Sequence, residues 1–133
     1  MPPMSPVETI TAAYAAFGRN DPSVLFGAMD PGITWTQAEG HPLADRSPYV
    51  GPQAIGEGVF GRLLAAIDNF TAAPSAIIDG GDHIVVLGRY RGTIKADGSA
   101  LDAEYCHVFR FRDGKAITFQ QYTDTAQWAR LMK

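Results

Sequence analysis

The sequence predicts an α+β domain in which helices lie on one face of a curved antiparallel sheet. Three observations predict it. The hydrophobic patterns run helix, helix, strand, helix, and then a meander of four strands. The last two strands, at 101–112 and 115–123, alternate apolar and polar residues on either side of Asp113-Gly114, a pair that tolerates the positive φ of a tight hairpin turn. A chain of 133 residues with 46% hydrophobic and 19% charged side chains can bury one core without crosslinks. A single domain is therefore expected over 1–133, with its core spanning about 6–132.

Each element has its own signal. Ser5 caps a first helix, Pro6 suits its first position, and Glu8 completes a capping box. Val7, Ile10, Ala13, Tyr14 and Phe17 then form one stripe, and Gly18 fits the stop. Asp21-Pro22 opens a short second helix that Asp30-Pro31-Gly32 is expected to end. Residues 33–37, ITWTQ, read as a strand because β-branched and aromatic residues fit a pleated surface. Residues 38–50 read as a loop of functional length. Gly51-Pro52 opens a third helix, whose wide stripe of Ile55, Val59, Phe60, Leu63, Leu64 and Ile67 suits a sheet face. The meander follows, with strands at 70–78, 83–95, 101–112 and 115–123. Asp124-Thr125-Ala126-Gln127 looks like another capping box, opening a short final helix with Trp128 and Leu131.

The final hairpin carries the first functional signal. On its first strand Tyr105, His107, Phe109 and Phe111 share a face, and Glu104, Cys106, Val108 and Arg110 share the other. On its second strand Ile117, Phe119, Gln121 and Thr123 are expected on one face. Both apolar faces thus carry a polar group, His107 or Gln121. A strand that only fills a core needs neither, so the pair points to a pocket. The opposite sheet face, with Val108, Cys106 and Val85 or Val86, is most simply covered by a second copy of the chain.

Composition excludes several classes. A net charge of -3 with no basic stripe argues against nucleic acid. No apolar run reaches the length of a membrane span, and residues 1–6 lack the basic flank and apolar run of a leader. The single Cys106 permits no internal disulfide, and a reducing cytoplasm is expected. His41, His83 and His107 lie on different elements without carboxylates at ligand spacing, so no metal is expected. Gly56, Gly58 and Gly61 lie inside a helix, not in a phosphate-binding turn, and no cofactor is expected.

Helix one with Asp21-Pro22, the strand ITW, GPQAI at the third helix and HVFRFRDGKAITFQQYTD together resemble the nuclear-transport-factor-2-like superfamily, and within it the SnoaL-like and ketosteroid-isomerase-related proteins. The resemblance runs from about Pro6 to Met132. It implies a cone-shaped, cystatin-like fold, a curved antiparallel sheet with a mixed edge whose concave face and helices enclose an apolar pocket. It also implies a homodimer through the convex face. In ketosteroid isomerases the position matching His107 carries a protonated aspartic acid of the oxyanion hole. The base aspartate falls close to Gln37, and the second oxyanion donor, a tyrosine, lies one residue out of register with Tyr14. In the epoxide hydrolases a catalytic aspartate falls near Gln121. This chain departs from both patterns at each of these positions.

The sequence-level candidates follow. His107 would polarise or protonate a substrate, or else sit as a core histidine satisfied by Gln121 or Tyr14. Glu39 is the remaining candidate base, because it continues the alternation Trp35, Gln37, Glu39 towards a pocket mouth, or else it is a solvated loop residue. Tyr14, Gln37 and Gln121 would orient a ligand, with Trp35, Phe60, Tyr105, Phe109 and Phe119 as walls. Asp124 reads as a helix cap and Cys106 as outward-facing. The expected ligand is a small, largely apolar cyclic or carbonyl compound. The activity is cofactor-independent acid-base chemistry of an isomerase, lyase or hydrolase, or binding alone.

Overall fold

In a computed structural model that describes residues 4–132, the chain folds as an α+β cone. Residues 1–3, part of the segment read above as carrying no leader, and Lys133 lie outside the described residues. The elements are α1 (Pro6–Phe17), α2 (Ser23–Gly27), β1 (Met29–Thr36), a 3-10 turn at Pro42–Arg46, β2 (Tyr49–Val50), α3 (Pro52–Ile55), a π-turn at Gly56–Phe60, α4 (Gly61–Ala66), β3 (Ile67–Gly80), β4 (His83–Ile94), β5 (Ala100–Arg112), β6 (Lys115–Thr123) and α5 (Thr125–Leu131). The sheet order is β2-β1-β6-β5-β4-β3. All pairs are antiparallel except β1 with β6, which run parallel and give the sheet its mixed edge.

Local chemistry accounts for the element ends. The Ser5 hydroxyl accepts from Glu8 N–H, and the Glu8 carboxylate accepts from Ser5 N–H, so the first capping box is complete. At α5 only half of the expected box forms. The Asp124 carboxylate accepts from Gln127 N–H at 3.2 Å and from Gln127 Nε2 at 3.3 Å, while the Gln127 amide also reaches Asp102. There it accepts from the backbone N–H at 2.8 Å and donates to the carbonyl at 3.0 Å, which ties the helix to β5. Asp30-Pro31-Gly32 does not end α2. It lies in the irregular first half of β1, where the register shifts between Met29 and Thr34.

Bulges bend the sheet into a cone. One lies between Arg110↔Thr118 and Phe111↔Ala116, leaving Ile117 as the extra residue. Ala116 therefore joins Phe119 and Gln121 on the buried face, and Ile117, expected there, is only half buried. β3 starts at Ile67, earlier than its sequence pattern suggested, and shifts register near Asp68–Thr71 and Pro74–Ala76. Its Pro74 is tolerated because β3 is an edge strand.

The concave face and α1, α3 and α4 bury the core, while α5 closes one end with Trp128. Its indole packs on His41, ring centroids 4.5 Å apart, and on the edge of Tyr90. Residues 38–50, expected to be only a loop, hold the 3-10 turn and β2. There the Tyr49 hydroxyl donates to the Leu43 carbonyl at 2.6 Å, and Asp45 pairs with Arg62 at 3.0 Å. Gly58 makes this junction possible, because a Cβ there would sit 2.3 Å from the Tyr49 ring. Gly58→Ala is accordingly expected to lower stability by about 1–3 kcal/mol, through overpacking. Chemical denaturation checks this; a variant as stable as the parent would show that the π-turn and Tyr49 can separate freely.

Candidate functional site

Strand parity builds one wall of the site. His107 on β5 faces the concave side, and its partner across β6 is Gln121. On β4 the inward positions Ile84, Val86, Gly88 and Tyr90 follow the same alternation. Gly88 stands opposite Tyr105, and a Cβ there would come within 2.5 Å of the Tyr105 hydroxyl. The missing side chain lets Tyr105 lie down across the sheet and donate to the Ala72 carbonyl at 3.1 Å. The Tyr105 ring then stacks on His107, centroids 4.0 Å apart.

The opposite wall comes from α1, the π-turn and α4. Tyr14 reaches down from α1 to the His107 ring, and Phe17, Val59, Phe60 and Leu63 enclose the space between. The result is an apolar cavity of about 50 Å³. One water needs roughly 10–15 Å³ on this measure, so as it stands the cavity admits a few waters or a small ligand. The half-exposed lining residues Phe17, Phe60 and Ala72 mark its mouth.

A single polar chain crosses the cavity wall. Ala38 N–H donates to Gln121 Oε1 at 3.1 Å, which turns Gln121 Nε2 towards Tyr90 Oη, 2.9 Å away. Tyr90 Oη hydrogen-bonds His107 Nε2, and Tyr14 Oη lies 2.5 Å from His107 Nδ1. Desolvation pushes the His107 pKa down to about 3, so the ring is neutral and carries one N–H. Desolvation likewise raises the Tyr14 and Tyr90 pKa values, so both phenols keep their protons. Gln121 supplies the proton for its own contact with Tyr90. The two contacts of the imidazole use two more, yet three are present: one N–H and two O–H. Either ring tautomer therefore leaves one phenolic O–H over, on Tyr14 or on Tyr90, and both residues line the cavity.

A second donor sits on the same wall. Trp35 Nε1–H can only donate, and it donates to Gln37 Oε1 at 2.9 Å. Gln37 is 3% exposed, and its Nε2 has no partner. Buried polar groups are nearly always satisfied, so this atom calls for an acceptor.

Tyr14, Trp35, Gln37, Phe60, His107, Phe109, Phe119 and Gln121 of the sequence candidates line the cavity. Two candidates fall elsewhere. Tyr105 is buried behind His107 and supports it rather than lining the cavity. Glu39 is exposed beside Gln120 and Tyr122 on the outer surface. Alternation holds only while a strand lasts; β1 ends at Thr36, Gln37 and Ala38 are both buried, and the chain turns away at Gly40, φ 88°. Glu39 is thus removed as a candidate base, and no Asp or Glu lines the cavity. Sequence reasoning missed Tyr90, although its parity with Ile84 and Val86 held the signal. His41, which the sequence did not mark as a core residue, is buried, with Leu43 N–H donating to its Nδ1 at 3.0 Å. Among the described residues, no three His, Cys, Asp or Glu side chains converge on a metal-sized site.

The profile of the SnoaL-like domain matches residues 10–119. The chain belongs to the SnoaL-like family. A nuclear-transport-factor-2-like protein of Burkholderia thailandensis is 34% identical over 98% of both chains, with a TM-score of 0.91. TerC, crystallised with polyporic acid, is 26% identical, with a TM-score of 0.81 over 95% of this chain and 96% of its own. A Catenulispora acidiphila protein with a ketosteroid isomerase-like fold, in complex with trimethylamine, matches at a TM-score of 0.71 over 90% of this chain and 86% of its own. At 24% identity that likeness is one of fold alone. No curated protein matches the chain by sequence.

The buried histidines set a pH dependence. Burial lowers His107 to about 3, and burial followed by the Arg62 charge lowers His41 to about 4. The unfolded chain takes up protons near pH 6.5, the fold only below these values. Stability is then fully present above about pH 6.5 and falls on acidification, by up to roughly 1.4 kcal/mol per pH unit for each ring. Urea titrations across this range should show the loss, and His107→Phe should flatten its slope. An unchanged slope in the variant would mean that His107 is hydrated in solution.

Proposed function

We propose that this SnoaL-like protein takes a small, largely apolar carbonyl compound into the cone. It promotes an isomerisation or ring closure by polarising the carbonyl oxygen, without a cofactor. The observation that carries the reading is the surplus phenolic O–H of the Tyr14–His107–Tyr90 chain, held in apolar surroundings. A donor fixed where negative charge develops is worth far more in a dry site than in water. Each hydrogen bond behind it polarises the next, so Gln121 and His107 strengthen the phenol that meets the substrate. The tyrosine hydroxyl is the contacting group. His107 stands behind it as a neutral ring that can pass a proton along the chain. Isomerisation and ring closure keep every atom of the substrate, and in a cavity lined by no carboxylate the proton that leaves carbon would pass to a second oxygen of the substrate or to a water beside it and return at the new position.

That same shortage favours a second reading, binding without turnover. The two part at His107→Phe, which keeps the bulk of the ring and removes both nitrogens. A panel of cyclic ketones and lactones, with polyporic acid included because TerC was crystallised with it, is first screened by thermal shift. Against a responding compound that is turned over, the variant should lose roughly 10²–10⁴ in rate while remaining folded. Unchanged or tighter binding, with no turnover in the parent, would establish the binding reading instead. No shift with any compound would remove both.

Assembly belongs to the same proposal. Val85, Cys106, Val108 and the exposed Leu87 and Tyr122 lie on the convex face, side by side across β4, β5 and β6. A homodimer through this face would cover them, and the single thiol suits a reducing cytoplasm. Sedimentation should give twice the chain mass of 14.3 kDa at micromolar concentration. A monomer would refute the assembly without touching the cavity.

A further inference from the structure

From the wall that carries Gln37, we infer that the ligand is an uncharged compound with two hydrogen-bond-accepting oxygens, and that Gln37 is the residue that selects for the second. The inference rests on the carbonyl reading above and goes beyond it. The Gln37 amide is fixed in one orientation, because Trp35 Nε1–H requires the oxygen on its side. Its Nε2 is sealed from solvent and has no protein acceptor, while the residue lines the cavity. Tyr14 and Tyr90, one of which holds the surplus hydroxyl proton, line the same space. Two residues that carry a spare donor thus line one cavity, and its two side-chain amide oxygens each already hold one hydrogen bond, Gln121 Oε1 from Ala38 and Gln37 Oε1 from Trp35.

Charge narrows the ligand further. No lysine or arginine lines the cavity, and His107 is neutral. A carboxylate brought here would lose its hydration and meet no counter-charge. Neutral carbonyl oxygens lose much less and satisfy both donors. The class is therefore a compact, apolar, uncharged dicarbonyl compound or its equivalent, such as a keto-lactone. Gln37 is a specificity-determining residue on this account, not a base. An amide nitrogen has no basic lone pair, which separates this site from one built around a carboxylate at that position.

The experiment compares cyclohexanone with cyclohexane-1,4-dione and 2,2-dimethylcyclohexane-1,3-dione, by calorimetry and by following side-chain amide signals in nitrogen-15 spectra. At least one dione should bind the parent protein about three- to tenfold more tightly than cyclohexanone, the yield of one added hydrogen bond. That dione, and not cyclohexanone, should shift the Gln37 amide signals, identified by their loss in Gln37→Met. In Gln37→Met the preference should vanish while cyclohexanone affinity holds. Gln37→Glu, kept protonated where no counter-charge stands, offers an acceptor to Trp35 and an O–H to the ligand, so it should retain the preference. Its loss of the amide signals also identifies them if Gln37→Met does not fold. If cyclohexanone and both diones bind the parent equally with no amide shift, water satisfies Gln37 in every state and the inference falls alone. If none of the three binds, the carbonyl reading falls with it.

Discussion

A neutral imidazole gripped at both nitrogens by phenols is the constraint from which the rest of the site follows. Buried in an apolar cone, His107 would be very costly charged, and costly, though less so, as a neutral ring without partners. Tyr14 must come from α1 and Tyr90 from β4, so the grip fixes how the first helix lies across the sheet. Gln121 in turn anchors Tyr90, and its own oxygen is held by Ala38 at the end of β1. Five elements or segments of the chain are thereby tied to one ring. Removing the ring takes the partner from Tyr14 and leaves Tyr90 with Gln121 alone.

The same grip decides what the cavity can do. A histidine with both nitrogens engaged cannot act directly on a substrate C–H. What it offers is orientation and polarisation, delivered through a hydroxyl. The surroundings reinforce this: Phe109 and Phe119 pack round the ring, backed by Trp35, which stacks on Phe119 at 3.6 Å between centroids, and they keep the local dielectric low. Glycine works on the other side of the balance. Gly88 gives Tyr105 room to lie against His107, and Gly58 lets the π-turn close on Tyr49 and carry Phe60 to the mouth. π-turns recur at functional sites because they re-aim side chains within a helix.

The outer face obeys different physics. Its exposed charges pair locally, Arg89 with Asp102 at 2.8 Å and Lys95 with Asp68 at 3.8 Å. Such exposed pairs add little to stability. Beside them, towards the start of β4, lies the apolar strip of Leu87, Cys106 and Tyr122 across three neighbouring strands. The cone therefore separates two surfaces on opposite sides of the same strands, one lining the cavity and one carrying an exposed apolar strip.

Alternation within strands and stripes within helices are local properties, and the sequence carries them in full. They determined the fold class, the α1 cap, the Asp113-Gly114 turn, and the inward set Tyr105, His107, Phe109 and Phe111. They also placed Trp35, Gln37, Phe119 and Gln121 on one side of the sheet. Where a pattern ran past the end of its element it failed: Glu39 was extrapolated beyond β1, and Ile117 was read across a bulge that shifts parity by one. Contacts between distant segments were beyond the reach of periodicity. The meeting of Tyr14 with His107 spans 93 positions and that of Gln121 with Ala38 spans 83. Tyr90 entered the site only through sheet pairing that brings β4 beside β5. Whether a polar side chain is satisfied depends on atoms supplied by other elements, so the sequence placed His107 and Gln37 in the pocket. Only the tertiary structure decided that the first is fully held and the second is left with a donor to give.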